Sequence, residues 1–160
     1  MENGIGRTFY AGPAIDGIAD PDTRDLLVCN GLPTEDLIFE ADPAADVVIS
    51  PYGTPAVCLG QVSGGRLCVD PRSGEVFVSG TYGGTWYVNK TVRQFALSLA
   101  KFDEMVPFHE RNADDEVMDA AVAKLVAALT AIDPSALSIP GTHWQDIVAD
   151  VADGDYGAEE

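Results

Sequence analysis

Basic residues are scarce in this sequence: nine lysines and arginines stand against 26 aspartates and glutamates, which gives a formal net charge of −17. The imbalance is uneven, because residues 1–50 carry −8 and residues 101–160 carry −11, whereas residues 51–100 carry +2. A chain this acidic repels nucleic acids and anionic membranes, so we expect neither as a direct partner. It would attract a basic partner, although such a charge can also serve solubility alone.

Long apolar runs are also missing, and none approaches the ~18 residues of a membrane-spanning helix. The first twelve residues lack a basic region followed by an apolar run, so we expect no secretory signal. The three cysteines, Cys29, Cys58 and Cys68, cannot all pair with one another. They lie in apolar runs, where a free cysteine behaves as a small hydrophobic residue. Together these features favour a reducing, cytoplasmic setting.

Catalytic and metal-binding motifs are lacking as well. The chain has no G-x-S-x-G nucleophile elbow and no phosphate-binding P-loop. Its two histidines, His109 and His143, show no metal-ligand spacing with each other or with a cysteine. His143 adjoins a predicted helix start, which favours a surface or capping role over catalysis. We therefore expect no enzymatic activity, no metal and no cofactor.

The central part of the chain, residues 66–102, predicts a three-stranded antiparallel meander followed by a helix. Apolar runs at 67–69, 76–78 and 86–88 are separated by residues typical of turns. Thr91 and Gln94 have the spacing of a helix capping box. One apolar helix face follows at the expected period, made of Val92, Phe95, Ala96, Leu99 and Phe102.

The flanking sequence predicts three more helices, over residues 20–29, 112–133 and 142–152. Further strands are predicted at 37–39, 47–50 and 56–62, with a turn at 40–43. The result is an α+β fold, in which a mostly antiparallel sheet of about five or six strands packs against about four helices. The length fits a single domain, residues 1–160, of which 1–14 and 157–160 are expected to be poorly ordered.

Three stretches, in the right order, resemble the fourth family of SUKH immunity proteins. The first, residues 23–33, contains Thr23-Arg24 and ends in Gly31-Leu32-Pro33. In the second, residues 67–100, a strand that ends in Asn89 leads into a helix capped by Thr91. The third, residues 144–156, begins with Trp144 and ends in Gly154-Asp155-Tyr156. The resemblance spans roughly residues 15–156. It implies a SUKH (Smi/Knr-like) α+β fold and a protein without enzymatic activity. It also implies binding and neutralisation of a bacterial polymorphic toxin domain, often a nuclease or nucleic-acid deaminase.

An immunity protein for a basic cognate toxin domain, most simply a monomer, is therefore our main hypothesis. A scaffold or regulatory binding protein of the same superfamily is the alternative, and an enzyme of unknown class is a more distant one. A neighbouring toxin gene would favour the immunity protein over the scaffold. A buried, water-lined pocket with perturbed carboxylates would favour an enzyme.

Two acidic groups are candidate contacts for this partner. Group 1 lies at the start of the 112–133 helix and contains Asp114, Asp115, Glu116 and Asp119. Group 2 lies on and after the last helix and contains Asp146, Asp150, Asp153 and Asp155. Acids at a helix start are stabilising in any case. In group 2, like charges three and four residues apart on one face destabilise an isolated helix, so we favour group 2 as the partner-binding set. If neither group binds, the near-neutral sheet is the next candidate.

Overall fold

A mostly antiparallel sheet carries the fold, in a computed structural model that describes residues 6–50 and 52–159. Six strands form this sheet, and two short strands near the N-terminus pair separately. The strands are β1 Arg7–Thr8, β2 Leu32–Pro33, β3 Glu40–Ala41, β4 Val47–Ile49, β5 Pro55–Val62, β6 Gly65–Val69, β7 Val76–Gly80 and β8 Thr85–Asn89. The helices are α1 Pro13–Asp16, α2 Pro21–Asp25, which continues as a π-helical turn to Asn30, α3 Val92–Met105, α4 Asp115–Ile132 and α5 His143–Ala152.

The predicted meander is confirmed, and it forms most of the sheet. Strands β5 to β8 pair with their sequence neighbours in antiparallel order. Strands β3 and β4 pair one after the other along the free edge of β5. The α+β class predicted from sequence is therefore confirmed.

The helices cover one face of the sheet and bury a single large core cluster there. Helix α3 begins at Thr91, whose hydroxyl accepts the amide of Gln94 at 3.1 Å, as the capping pattern predicts. Its predicted inner face is buried, except that Ala96 is half-buried. The other face of the sheet carries a small buried cluster that contains Cys58 and Cys68. These two cysteines lie opposite each other on β5 and β6, and both are free thiols.

A buried polar network docks α5 against the sheet. Asn89, at the end of β8, is fully buried, and its side-chain oxygen accepts the indole N–H of Trp144 at 2.9 Å. Its side-chain nitrogen donates to the Asp133 carboxylate at 2.8 Å. Burial alone would raise the pKa of Asp133, but hydrogen bonds from Ser135, Asn89 and the Lys90 amide outweigh it and hold that pKa below its usual range.

The predicted strand at 37–39 is wrong, and the turn predicted at 40–43 lies at 42–45, because Glu40–Ala41 form β3. The Asp36 carboxylate accepts the amides of Ile38 and Phe39 at 2.9 and 3.1 Å, and this makes residues 35–40 a tight hairpin. The backbones of Glu35 and Glu40 form an antiparallel β-bridge at the base of this hairpin, and strand β3 begins at Glu40. We call residues 35–40 the Leu37 hairpin, because Leu37 lies at its tip with 62% of its surface exposed.

The N-terminal segment makes contacts that the sequence did not suggest. Arg7 donates to the carbonyls of Asn30 and Gly31, at the end of the π-helical turn. Tyr10 is buried, and its hydroxyl donates to the Leu59 carbonyl. Residues 1–5 and 160, which are among those expected to be poorly ordered, lie outside the described residues. The expected poor order of residues 1–14 and 157–160 and the assignment of residues 1–160 to a single domain stay predictions.

Candidate functional site

An open groove separates the Leu37 hairpin from helix α5. Its volume is about 530 Å³. We call it the acidic groove, because five of its lining residues carry carboxylates. It is lined by residues 35–40 of the hairpin, residues 61–63 at the end of β5 and just after it, His143, Ile147, Asp150, Asp155 and Tyr156. No lysine or arginine of the described residues lines it.

The hairpin side of the groove is held by both polar and apolar contacts. Below the turn that Asp36 closes, Ile38 and Phe39 are buried. The Phe39 ring meets the ring of Phe95 edge-to-face, with centroids 5.4 Å apart. This contact anchors the hairpin to α3 and leaves Leu37, Glu35 and Glu40 exposed at its surface.

Helix α5 forms the opposite side. The Thr142 hydroxyl caps it by accepting the amide of Gln145 at 3.2 Å, as the sequence predicts. Trp144, Ile147 and Val151 point into the core. Because those residues turn one face of α5 inward, the carboxylates of group 2 lie on its outer side and just beyond its end.

Group 2 comes together in space around Asp150. Partial burial and the negative charges of Asp155, Asp146 and Asp153 all raise the pKa of the Asp150 carboxyl. The acidic groove divides this group, because Asp150 and Asp155 line it whereas Asp146 and Asp153 do not. Sequence spacing identified the group but not this division.

Group 1 does not line the groove, and part of it has a structural role. The Asp114 carboxylate caps α4 by accepting the amide of Val117 at 2.9 Å. Asp115 and Glu116 lie in the first turn, where the helix dipole favours negative charge. All four members are exposed, and binding by either group stays a prediction.

His143 is the least expected residue of the groove. The expectation of a surface position is wrong, because only 7% of the residue is exposed and Thr142 provides the helix cap. Burial lowers the pKa of His143 to about 4, so its imidazole is neutral at neutral pH. Its Nε2 is buried and has no hydrogen-bond partner among the described residues. A buried polar atom without a partner usually costs stability, so it needs an explanation.

Asp36 and Asp103 form a pair of titratable side chains beside the groove. The Asp103 side chain on α3 meets that of Asp36, and burial followed by the charge and hydrogen bond of Asp36 raises the pKa of Asp103 to about 7. Burial also raises the pKa of Asp36. Burial and the nearness of the two groups thus favour the protonated form of one carboxyl of the pair, which limits their mutual repulsion.

The groove does not form a recognisable metal centre. In residues 6–50 and 52–159, no group of three or more histidine, cysteine, aspartate or glutamate residues could hold a metal ion. None of the helices in the described part of the chain is long and apolar enough to cross a membrane. The groove offers hydrogen-bond acceptors and negative charge, which are features of a binding surface for a cationic group.

Fold and groove together describe an α+β protein with a net charge of −17 and an acidic groove between the Leu37 hairpin and α5. The family model described as SUKH-4 immunity protein matches residues 11–150. The chain belongs to the SUKH-4 immunity protein family, as its sequence resemblance implied. Comparisons with curated proteins and with solved structures gave no match.

Proposed function

We propose that this protein binds and neutralises a basic toxin domain of nuclease or nucleic-acid deaminase type, and that group 2 contacts it. Membership of the SUKH-4 immunity family supports a role in immunity. The observation that carries the choice of a basic partner is the acidic groove, with Asp150 and Asp155 of group 2 in its lining. We further propose that binding takes place in the cytoplasm, as a complex of one immunity protein with one toxin.

Charge complementarity gives the physical reason. A toxin that acts on nucleic acid needs a basic surface to hold its substrate. A binder with a net charge of −17 can cover such a surface and compete with the substrate for it. Attraction between the two also speeds their encounter, which matters because a toxin must be captured before it acts. Neutralisation then requires binding alone and no catalysis by the immunity protein.

Co-expression tests this proposal directly. The toxin domain encoded next to this gene should stop bacterial growth when expressed alone and should be harmless when this protein is co-expressed. The pair should elute together from a sizing column as a heterodimer. A toxin that stays lethal, together with separate elution of the two proteins, would contradict the immunity role. An unrelated protein of similar size and charge is the control, because it shows whether acidity alone protects.

Salt should affect association more than dissociation. The Debye length falls from ~30 Å at 0.01 M salt to ~8 Å at 0.15 M, so long-range attraction is largely screened at the higher value. We expect the association rate constant to fall about tenfold or more over this range, with a smaller change in the dissociation rate constant. Stopped-flow measurement of both rates is the check. An association rate that does not respond to salt would mean that the charge serves solubility only.

A further inference from the structure

We propose that the acidic groove receives an arginine side chain from a protruding segment of the toxin, held between the Leu37 hairpin and helix α5. This inference rests on the proposed function and makes it more specific, because it names the cavity and the chemical group that enters it. It narrows the direct contact within group 2 to Asp150 and Asp155, which line the groove, and leaves Asp146 and Asp153 only a share in the long-range attraction.

The groove wall presents negative charge on two opposite sides. Glu35 and Glu40 belong to the hairpin, and Asp150 and Asp155 belong to α5 and the turn that follows it. A guanidinium group has five N–H donors in a planar fork, so it can bond carboxylates on both sides at once. A volume of about 530 Å³ is ample for one such side chain and its neighbours.

His143 supplies the independent observation that the groove is built for a ligand. Its residue is more than nine-tenths buried, it lines the groove, and its Nε2 has no partner within the described residues. The neutral imidazole can accept a hydrogen bond at Nε2 and does not repel a cation. Nε2 has almost no accessible surface in the unbound protein, so an N–H donor satisfies it only after the side chains that cover it move aside as the arginine enters.

Apolar lining residues suit the rest of an arginine side chain. Leu37 at the hairpin tip, Ile147 on α5 and Tyr156 after it all line the groove. The hydrocarbon stem of arginine packs on such surfaces while its charged end reaches polar groups. The stem of the arginine can therefore pack on Leu37 while its guanidinium group bonds the carboxylates around the groove.

Two double variants with equal charge change test the inference. Asp150→Asn with Asp155→Asn removes two carboxylates from the groove, whereas Asp146→Asn with Asp153→Asn removes two from the same acidic group outside it. Binding of the inactivated toxin domain encoded by the adjacent gene is measured by surface plasmon resonance. We expect the groove pair to raise Kd at least tenfold, mainly through faster dissociation. The control pair should raise Kd less than threefold, mainly through slower association.

A His143→Leu variant gives a second and different readout. Removal of an unpartnered buried nitrogen should leave the melting temperature unchanged or raise it, yet toxin affinity should fall at least fivefold. A purely structural role for His143 predicts the opposite pattern, in which stability falls and affinity is retained. That pattern would overturn the assignment of Nε2 as an acceptor for the toxin.

The outcomes separate this inference from the proposed function. If wild-type protein binds the toxin and the two double variants weaken binding equally, the groove is not the specific contact, although the immunity role stands. If the wild-type binds and the control pair alone weakens binding, the contact lies on the outer face of α5. If the wild-type protein does not bind the toxin at all, the proposed function itself fails.

Discussion

Replacement of Trp144 with alanine should lower the free energy of unfolding by about 3–5 kcal/mol, the usual cost of truncating a large buried aromatic side chain. Trp144 is fully buried, and its ring lies 6.4 Å from that of Phe102 on α3. Loss of the side chain leaves a cavity and removes the hydrogen bond to Asn89. Because typical domain stability is about 5–15 kcal/mol, this single change should be evident in a urea or thermal denaturation curve.

The same variant tests how α5 is attached. Since α5 forms one side of the acidic groove, Trp144→Ala should also weaken toxin binding, even though Trp144 does not line the groove. Leu97→Ala is the matched control, because Leu97 lies on α3 with 53% of its surface exposed and should change stability little. A melting temperature unchanged in Trp144→Ala would show that α5 is not docked through this residue.

The second large effect is expected at Asn89. Asn89→Ala leaves the Trp144 indole N–H without a partner in a buried site and removes one of the two hydrogen bonds to Asp133 Oδ2, which keeps the Lys90 amide. The unsatisfied indole N–H costs about 1–3 kcal/mol and the lost hydrogen bond to the carboxylate adds to it, so the free energy of unfolding should fall by about 2–4 kcal/mol. Denaturant unfolding at neutral pH is the measurement, and a loss below 1 kcal/mol would contradict the role of Asn89 as a hub.

A double-mutant cycle isolates the hydrogen bond in this network. Trp144→Phe removes the indole N–H but keeps an aromatic ring in the core. If the bond to Asn89 matters, the combined Asn89→Ala and Trp144→Phe variant should lose less stability than the sum of the two single variants. Strict additivity would mean that the 2.9 Å contact contributes little by itself.

Elements with strong local signals were predictable from sequence. The meander strands are separated by turn residues, and Asp20, Thr91 and Thr142 each cap a helix as their position predicts. Capping and helical periodicity depend on residues three or four positions apart, so they can be recognised without knowledge of the rest of the chain. The α+β class and family resemblance follow from these elements taken in order.

The Leu37 hairpin shows where local signals fail. Leu37, Ile38 and Phe39 are three consecutive apolar residues, which is typical of a buried strand. The Asp36 carboxylate bonds two of their amides, which turns the chain, and the rings of Phe39 and Phe95 then meet. The hydrogen bonds of Asp36 are local, but Phe95 lies 56 positions further along the chain, so no sequence window contains the ring contact that anchors the hairpin.

For the site, the sequence by itself determined the acidic charge, the helical spacing of Asp146, Asp150 and Asp153, and the start of α5 at Thr142. Only the tertiary structure decided that Asp150 and Asp155 face the hairpin carboxylates across a groove and that His143 is buried beside them. The reason is physical. Charge and periodicity are properties of the chain, whereas a groove exists only where two distant segments pack side by side without filling the space between them.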